Sequence, residues 1–389
     1  MKKKICIIRA SDITFISRVH RTAQALQQSG KYQVNVLSIM PRGGKPISEY
    51  PYETTYISIK SRALKSSLFS IFRILEGMAR LYFSAKKQKA DIYIPIGIED
   101  LVIVYVISKF FKTKFIYSAN ELEGDRKRVG NKKLNKFLNR QVIKIEKWML
   151  NKSNGVIAAD LERAKLMEKW YGLDKVEVIR NVPSYVDVDN ENLIRKELNL
   201  PKASKILLYQ GMLSPGRGLE VSIKACAKSK TQNKIHLVLL GFITEEYKDK
   251  LLKTAGDFGF ANLHILPPVP WKELLFWTKS ADISLVLIEN VSISYYLAAP
   301  NKLYETIMVG VPYIASNFPE IKHVHEVAKA GILVNPENVN DITEAIDKLN
   351  EDKLLYKSCV KSSKFAKTVF NWSIEQKKLL QIMENIDIQ

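Results

Sequence analysis

The sequence predicts an α/β protein built from two successive doubly wound domains. Short runs of Ile, Val and Leu recur along the chain and alternate with stretches of helical periodicity, the pattern of parallel strands joined by crossover helices. That alternation starts twice, at Lys4 and again at Lys205, with a polar, proline-flanked stretch between the two series. The 389 residues suffice for two full cores. The domains are therefore placed at 1–183 and 205–370, with a linker at 184–204 and a C-terminal helix at 371–389 that returns towards the first domain. Open sheets of this kind bind ligands beyond the carboxyl ends of their strands, so the two domains are expected to face a central cleft.

In the first domain, residues 4–8 read as a buried strand and 33–38 as the next. Between them, residues 18–29 carry Val19, Ala23 and Leu26 at helical spacing, and Gly30 closes the helix. No Gly-x-Gly-x-x-Gly follows the first strand, so the dinucleotide fingerprint is missing. Residues 61–89 read as an amphipathic helix. Leu64, Leu68, Ile71, Phe72, Leu75 and Met78 form its apolar face, with Arg62, Lys65, Arg73, Arg80, Lys86, Lys87 and Lys89 around them; such a basic helix can lie on anionic lipid, but for most of its length the apolar face is expected to meet the core. A strand at 91–96, a helix at 101–111 and a strand at 114–118 follow. Residues 126–152 are dense in Lys and Arg, with Glu146 the only acid and Phe137, Ile143 and Trp148 interleaved. Such a run is either a solvated helix face or a site for an anionic partner, and the scarcity of acids favours the partner. Strands at 155–159 and 176–179 flank a helix at 161–170.

The second series places strands at 205–210, 236–240, 264–266, 283–288, 313–316 and 331–334, helices at 219–228 and 339–350, and a helical tail after 370. The stretch between its fourth and fifth strands is the most informative in the chain. Pro300-Asn-Lys-Leu-Tyr-Glu-Thr-Ile-Met-Val-Gly310-Val-Pro312 is a short helix with both ends marked, proline at the start and glycine then proline at the stop. Lys302 stands out, because a cation near a helix N-terminus is disfavoured unless an anion lies beside it.

Composition narrows the partner. The formal net charge is +20 and the isoelectric point about 9.6, which calls for nucleotide phosphates, nucleic acid or an anionic membrane face. There is no RRM, zinc or helix-turn-helix signature, so nucleic acid is set aside. Cys6, Cys226 and Cys359 form no CxxC pair, and His20, His236, His264, His323 and His325 show no ligand spacing with them. A reducing compartment and no metal are expected. The opening apolar run is too short for a signal peptide, and no run reaches the length of a membrane span.

Two stretches carry the expected chemistry. Gly211-Met-Leu-Ser-Pro-Gly-Arg-Gly218 lies between a strand and a helix. Glycines let a backbone approach an anion, the helix N-terminus supplies N–H groups, and Arg217 adds a fork that matches phosphate oxygens. It resembles a P-loop only loosely, since the Lys-Ser/Thr ending is missing. The Pro300–Glu305 stretch follows another strand of the same sheet, so both lie at one edge. Arg217 and Lys302 can address a diphosphate there, and Glu305 can accept from ribose hydroxyls.

These residues, with Tyr-Gln-Gly211, Gly216-Arg-Gly-Leu-Glu220 and Pro300-Asn-Lys-Leu-Tyr-Glu305, resemble the retaining, metal-independent glycosyltransferases of family four, which have the GT-B fold. The likeness runs through 91–121, 155–183, the 209–219 loop, Gly241, Ala281-Asp282, 300–319, 331–336 and the tail at Trp372, and is similar in form to the branch that builds bacterial surface polysaccharides such as capsule and O-antigen. The resemblance implies a nucleotide-diphosphate sugar of UDP or GDP type, with no cofactor, held mainly by the second domain. Gly211, Gly216, Arg217, Pro270, Asn301, Lys302, Leu303 and Glu305 would bind this donor, and Arg217, Lys302 and Glu305 would carry catalysis. It implies an acceptor, a lipid-linked saccharide, on the first domain, with Asp12, Arg18, Glu99, Asp100, Asn120 and Glu121 as candidate contacts. Arg126, Lys127, Arg128, Lys132, Lys133, Lys136 and Arg140 would hold the anionic membrane surface, placing the chain in the cytoplasm at the inner face of the cytoplasmic membrane. The family's first glutamate falls at Leu297, its usual arginine after Gly211 at Met212 and its usual histidine at Asn120. These departures motivate a second reading, a catalytically weak or inactive scaffold that binds a partner or lipid. Asp187-Val-Asp189 spells the DxD of metal-dependent transferases but lies outside any strand end, so it is read as chance.

Overall fold

The computed structural model describes residues 2–14, 16–41, 50–63, 70–125 and 132–388. They form two units, Met1–Asn181 with Glu375–Gln389, and Val182–Ile374.

The first unit is a seven-stranded parallel sheet in the order β3-β2-β1-β4-β5-β6-β7. Its strands are β1 (Lys3–Arg9), β2 (Tyr32–Ile39), β3 (Glu53–Ile57), β4 (Ile92–Pro95), β5 (Lys114–Ser118), β6 (Gly155–Ala158) and β7 (Glu177–Val178). Its helices are α1 (Ser17–Gln28), α2 (Ser70–Gln88), α3 (Ile98–Phe111), α4 (Lys132–Leu150) and α5 (Leu161–Tyr171). Ile5 of the central β1 pairs with Val34 on one side and Ile92 on the other. Ile5, Cys6, Ile7 and Ile8 are all buried, because helices cover both faces of a parallel sheet. The edge strand β3 was not legible in the sequence: Glu-Thr-Thr-Tyr-Ile is half-exposed and lacks an apolar run.

Helix α2 corrects one expectation. Leu64, Lys65 and Leu68 lie outside the described residues, and the helix begins at Ser70. Phe72 and Leu75 face solvent, each 59% exposed, where the apolar stripe was expected to enter the core. The inward side is instead Gly77, Leu81 and Ala85, with Leu81 and Ala85 fully buried. A Cβ at Gly77 would sit 3.2 Å from Ile59. Small residues bring the helix close to the sheet, and that close approach outweighs the larger stripe.

The second unit is a six-stranded parallel sheet, β10-β9-β8-β11-β12-β13. Its strands are β8 (Lys205–Gln210), β9 (Ile235–Leu240), β10 (Leu263–Leu266), β11 (Ile283–Val286), β12 (Tyr313–Ser316) and β13 (Gly331–Val334). Its helices are α6 (Leu193–Glu197), α7 (Leu219–Lys228), α8 (Glu245–Asp257), α9 (Leu274–Lys279), α10 (Ile293–Tyr296), α11 (Asn301–Val309), α12 (Pro319–Ala328), α13 (Val339–Glu351) and α14 (Lys353–Val369). Alternate residues of β8 and β9 enter opposite cores: Leu207, Tyr209, Leu237 and Leu239 on one face, Ile206, Leu208, Val238 and Leu240 on the other. The stretch at 184–204 packs with this unit, where Ile194 is fully buried among Val188, Leu198 and Leu200. The last helix, α15 (Trp372–Ile388), belongs to the first unit from Glu375 onward. It holds the sheet through Tyr32 Oη to Asp387 at 2.9 Å and Lys114 Nζ to the Ile386 carbonyl at 2.7 Å. Two parallel-sheet, Rossmann-like units and a C-terminal helix are thus the architecture the sequence predicted.

Candidate functional site

The carboxyl ends of β8, β9 and β11 and the N-terminus of α11 define a site within the second unit. Helix α11 starts and stops as its sequence dictates. Pro300 is its extended N-cap, and Gly310 ends it in the left-handed region at φ 71°. That start carries Lys302 into the interior, where it is 7% exposed. Its Nζ lies 3.3 Å from the centre of the Tyr209 ring and has no hydrogen-bond partner among the described residues. Burial first, and the Arg217 guanidinium second, hold this amine well below the ordinary lysine range, against the pull of Glu305. A buried ammonium with no hydrogen-bond partner among the described residues is costly at a helix N-terminus, and an anion beside it would offset that cost.

Arg217 lies between Gly216 and Gly218, and its guanidinium carbon is 4.6 Å from the centre of the Tyr295 ring. Its Nε is buried without a hydrogen-bond partner among the described residues. Gly218, with φ 69°, is the N-cap of α7, and a Cβ there would meet that of Leu287 at 2.8 Å. Only glycine meets both demands. Gly211 opens this loop. Its N–H donates to the Leu240 carbonyl at 2.9 Å, and a Cβ on Gly241 would lie 1.7 Å from the Gly211 carbonyl oxygen. The two loops therefore pass backbone against backbone, which the isolated glycines did not reveal.

Glu305, half-buried on α11, accepts from Gln210 Nε2 at 2.6 Å. Gln210 Oε1 in turn accepts from Thr278 Oγ1 at 2.6 Å. Gln210 and Thr278 are 2% and 0% exposed, so this is a buried relay that fixes the carboxylate. Sequence reasoning missed Tyr209, Gln210, Thr278 and Tyr295. Tyr209 and Gln210 had a signal, since they end the strand before the glycine loop.

Two donor-site expectations need correction. Leu303 is fully buried in the core with Val286, Ile288 and Ile307, so its side chain packs and does not reach a ligand. The α7 N-terminus is not wholly open: the Gly218 N–H donates to Glu289 Oε1 at 3.2 Å, and the Glu289 N–H to the Gly216 carbonyl at 3.0 Å. Burial, and then the Glu220 carboxylate, push the Glu289 carboxyl up. Pro270 is exposed beyond β10, and Asn301 is exposed at the first position of α11.

In the first unit, the acceptor candidates gather beyond the carboxyl ends of β1, β4 and β5. Several of them are structural. Asp100 is fully buried and accepts from the Ala10 N–H at 2.6 Å and the Gly97 N–H at 2.9 Å, the second bond tying the third residue of α3 back to its N-cap. Burial pushes its carboxyl up to about 7, against Arg9 and these two amides. Arg18 is 5% exposed and donates to Ser118 Oγ and the Ile179 carbonyl, with burial bringing it down to about 10. Asp12 accepts from the N–H and the Oγ1 of Thr14. The Asn120 carbonyl and the Glu121 carboxylate accept from Arg163. Asp12, Glu99 and Glu121 keep exposed surface at this edge. Beside Asp12's loop, His20, Tyr50 and Tyr52 stack, with His20 Nδ1 2.5 Å from Tyr52 Oη, a cluster the sequence reading did not single out. Arg126, Lys127 and Arg128 lie outside the described residues, as does the side chain of Lys132, while Lys133, Lys136 and Arg140 are exposed on α4.

Replacing Asp100 by alanine should destabilise the first unit by about 2–4 kcal/mol, because two buried N–H groups lose their acceptor. The sign of its pH dependence also follows. The folded state keeps a proton that the unfolded state releases above the ordinary value of 3.8, so this residue's contribution falls as pH rises from there to about 7. Denaturant midpoints of both proteins between those pH values check it: the slope should flatten in the variant.

Asp187 is paired with Lys367. His325 Nδ1 lies 2.9 Å from Tyr313 Oη, and His323 is exposed. Among the described residues no group of three or more His, Cys, Asp or Glu is arranged to hold a metal ion.

Residues 190–367 match the family model of glycosyl transferases group 1, a span that includes every residue of the Lys302 site. The D-inositol 3-phosphate glycosyltransferase of Paenarthrobacter aurescens is 27% identical over 150 residues, 38% of this chain and 35% of that one. The enzyme of the same name from Thermomonospora curvata is 23% identical over 217 residues, 51% of this chain and 49% of that one. The chain thus spans about a third to a half of the length of these curated relatives. Among solved structures, the sucrose-phosphate synthase from Thermosynechococcus elongatus superimposes with TM-score 0.82 at 16% identity, covering 100% of both chains. Anabaena HepE in complex with UDP and glucose does so with TM-score 0.74 at 13% identity, covering 98% of this chain and 100% of that one. At such identities the likeness concerns the fold, which is GT-B.

Proposed function

We propose that the chain is a glycosyltransferase that moves a sugar from a nucleoside-diphosphate sugar to a saccharide acceptor. The observation that carries the reading is the buried ammonium of Lys302, without a hydrogen-bond partner among the described residues, at the start of α11, with Arg217 near it and Glu305 held beside it. A pyrophosphate supplies the anion that this cation lacks, and Glu305 then faces the ribose hydroxyls. The match of this segment to glycosyl transferases group 1, and the UDP and glucose held by a protein of the same fold, support the same donor class.

The reaction we infer is same-face substitution with retention. The acceptor hydroxyl attacks the anomeric carbon as the bond to the diphosphate breaks, and the leaving phosphate oxygen takes the hydroxyl proton. Arg217 and Lys302 stabilise the departing charge, an electrostatic contribution that is usually the largest in such sites. Two fixed cations supply what a metal would, and Asp187 of the Asp-Val-Asp sequence is engaged by Lys367. The acceptor is read as a lipid-linked saccharide of bacterial surface polysaccharide assembly, on the strength of the Pro-Asn-Lys-Leu-Tyr-Glu form and the net charge of +20.

Calorimetry with UDP, GDP and ADP is the test. One of them should bind with a dissociation constant in the micromolar range, about −8 kcal/mol or better. No binding of any at about 1 mM, some −4 kcal/mol, overturns the reading. A second reading, a scaffold without catalysis, is favoured by the Glu289 carboxylate on the Gly218 N–H and by Leu297 in place of a glutamate. It predicts no sugar release from any nucleotide sugar even where a nucleotide binds.

A further inference from the structure

A cavity of about 440 Å³ opens at the amino-terminal ends of β4 and β5, at the opposite edge of the first sheet from the acceptor candidates. Its floor is apolar: Ala90, Tyr93 and Ile107 are buried there, and Phe111 forms a half-exposed wall. The Tyr93 hydroxyl is engaged inside the fold, donating to the Ala85 carbonyl at 2.9 Å and accepting from the Ala90 N–H at 3.3 Å. The mouth is cationic. Lys86, Lys89 and Lys112 are exposed around it, and Lys86 Nζ stands 5.3 Å from the centre of the Phe111 ring. None of the three has an ion-pair partner among the described residues. The one acid of the lining, Asp91, accepts through Oδ2 from the Lys4 N–H at 2.7 Å. The lining thus carries an excess of two positive charges. Thr113 Oγ1, also of the lining, is buried without a hydrogen-bond partner among the described residues.

A lysine in the last turn of a helix offsets the dipole, which accounts for Lys86 on α2. It leaves the backbone of the other two unexplained. Lys89 directly follows α2 with φ 46°, and Lys112 caps α3 with φ 50°. Glycine is the usual residue in this left-handed conformation, since a Cβ is strained there. Two strained helix ends therefore hold an ammonium each at the mouth of one cavity.

We propose that this cavity binds a small soluble phosphate monoester with a flat apolar body, at a site separate from those of donor and acceptor. A monoester carries close to two negative charges at neutral pH, which match the excess at the mouth. Its body covers Tyr93 and Ile107 beside Phe111, and a phosphate oxygen accepts from the Thr113 hydroxyl. The volume falls within the range of small-molecule sites, about 300–1,000 Å³. Bare phosphate would leave the apolar floor wet, and a neutral aromatic would leave the three ammonium groups unpaired. The proposal does not rest on the transfer reaction, since no residue of the Lys302 site takes part.

The experiment is calorimetry of the full chain with phenyl phosphate, inorganic phosphate and phenol at about pH 8, where the monoester is a dianion. The wild type should bind phenyl phosphate with a dissociation constant below about 1 mM, and inorganic phosphate at least about tenfold more weakly. Phenol should not bind measurably. Lys89→Gly/Lys112→Gly should keep or raise the melting temperature, because glycine suits both left-handed positions, and should lower affinity at least about tenfold. Lys329→Gly relieves the same conformation at φ 45° outside this cavity and should leave affinity unchanged. Thr113→Val should weaken binding about three- to tenfold. Lys302→Met should bind phenyl phosphate as the wild type does, which separates this cavity from the donor site. A Lys302→Met protein that has lost the binding overturns the proposal, as does a wild type that binds inorganic phosphate equally well or phenyl phosphate not at all. So does a folded Lys89→Gly/Lys112→Gly protein with wild-type affinity.

Discussion

Lys302→Met should make the second unit more stable and abolish its affinity for nucleoside diphosphates. The ammonium is buried with no hydrogen bond among the described residues, and the Tyr209 ring and the pull of Glu305 offset only part of the lost hydration. A methionine keeps the length, fills the same space and removes the charge. The gain should be about 1–3 kcal/mol, or about 2–10 °C in the melting temperature of a unit this size. The sign with pH follows from the depressed amine. Between its folded value and the ordinary lysine range, the unfolded chain binds more protons, so wild-type stability rises with pH and the advantage of the variant narrows. Diphosphate binding restores the favourable surroundings of the cation, so the complex should take up a proton and affinity should fall as pH rises. Calorimetry in two buffers of different ionisation enthalpy reads that uptake directly. A less stable variant that still binds UDP or GDP would remove Lys302 from the site.

Glu305→Ala should erase the distinction between ribo- and 2′-deoxyribonucleotides. Its carboxylate is set by Gln210, itself set by Thr278, so it is aimed before any ligand arrives. A hydrogen bond to a charged acceptor contributes about 1.5–3 kcal/mol, so losing ribose contacts should weaken the nucleotide about ten- to a hundredfold and lower transfer at least as much. Gln210→Met leaves Glu305 in place but unaimed, and about a tenfold loss of affinity is expected, with discrimination reduced but present. The measurement is the affinity ratio of each nucleotide to its 2′-deoxy form. A ratio in Glu305→Ala equal to that of the wild type would show that the ribose lies elsewhere.

Much of the fold was legible because parallel strands covered on both faces leave short unbroken apolar runs, as in Ile206–Leu208 and Leu237–Leu240. The bounds of α11 were legible because Pro300 and Gly310 act locally, through fixed φ and left-handed backbone. The edge strand β3 was not legible, because its partner is on one side only and its residues need not be apolar. Helix α2 was read on the wrong side. Periodicity reports that a helix has an apolar stripe, but how closely Gly77 and Ala85 can pack decides which side meets the sheet.

By itself the sequence determined two parallel-sheet units, the helix that carries Lys302 and Glu305, and the excess of positive charge, since strand, cap and charge are properties of residues and their near neighbours. Only the tertiary structure decided that Lys302 lies over Tyr209 without a hydrogen-bond partner among the described residues, that Glu305 is held by Gln210 and Thr278, that Asp100 and Leu303 serve the core, and that Phe137 and Trp148 of α4 are left in water. Each of these is a matter of what a side chain meets from a distant part of the chain. Burial, desolvation and hydrogen-bond satisfaction are set by such meetings, and no local pattern carries them.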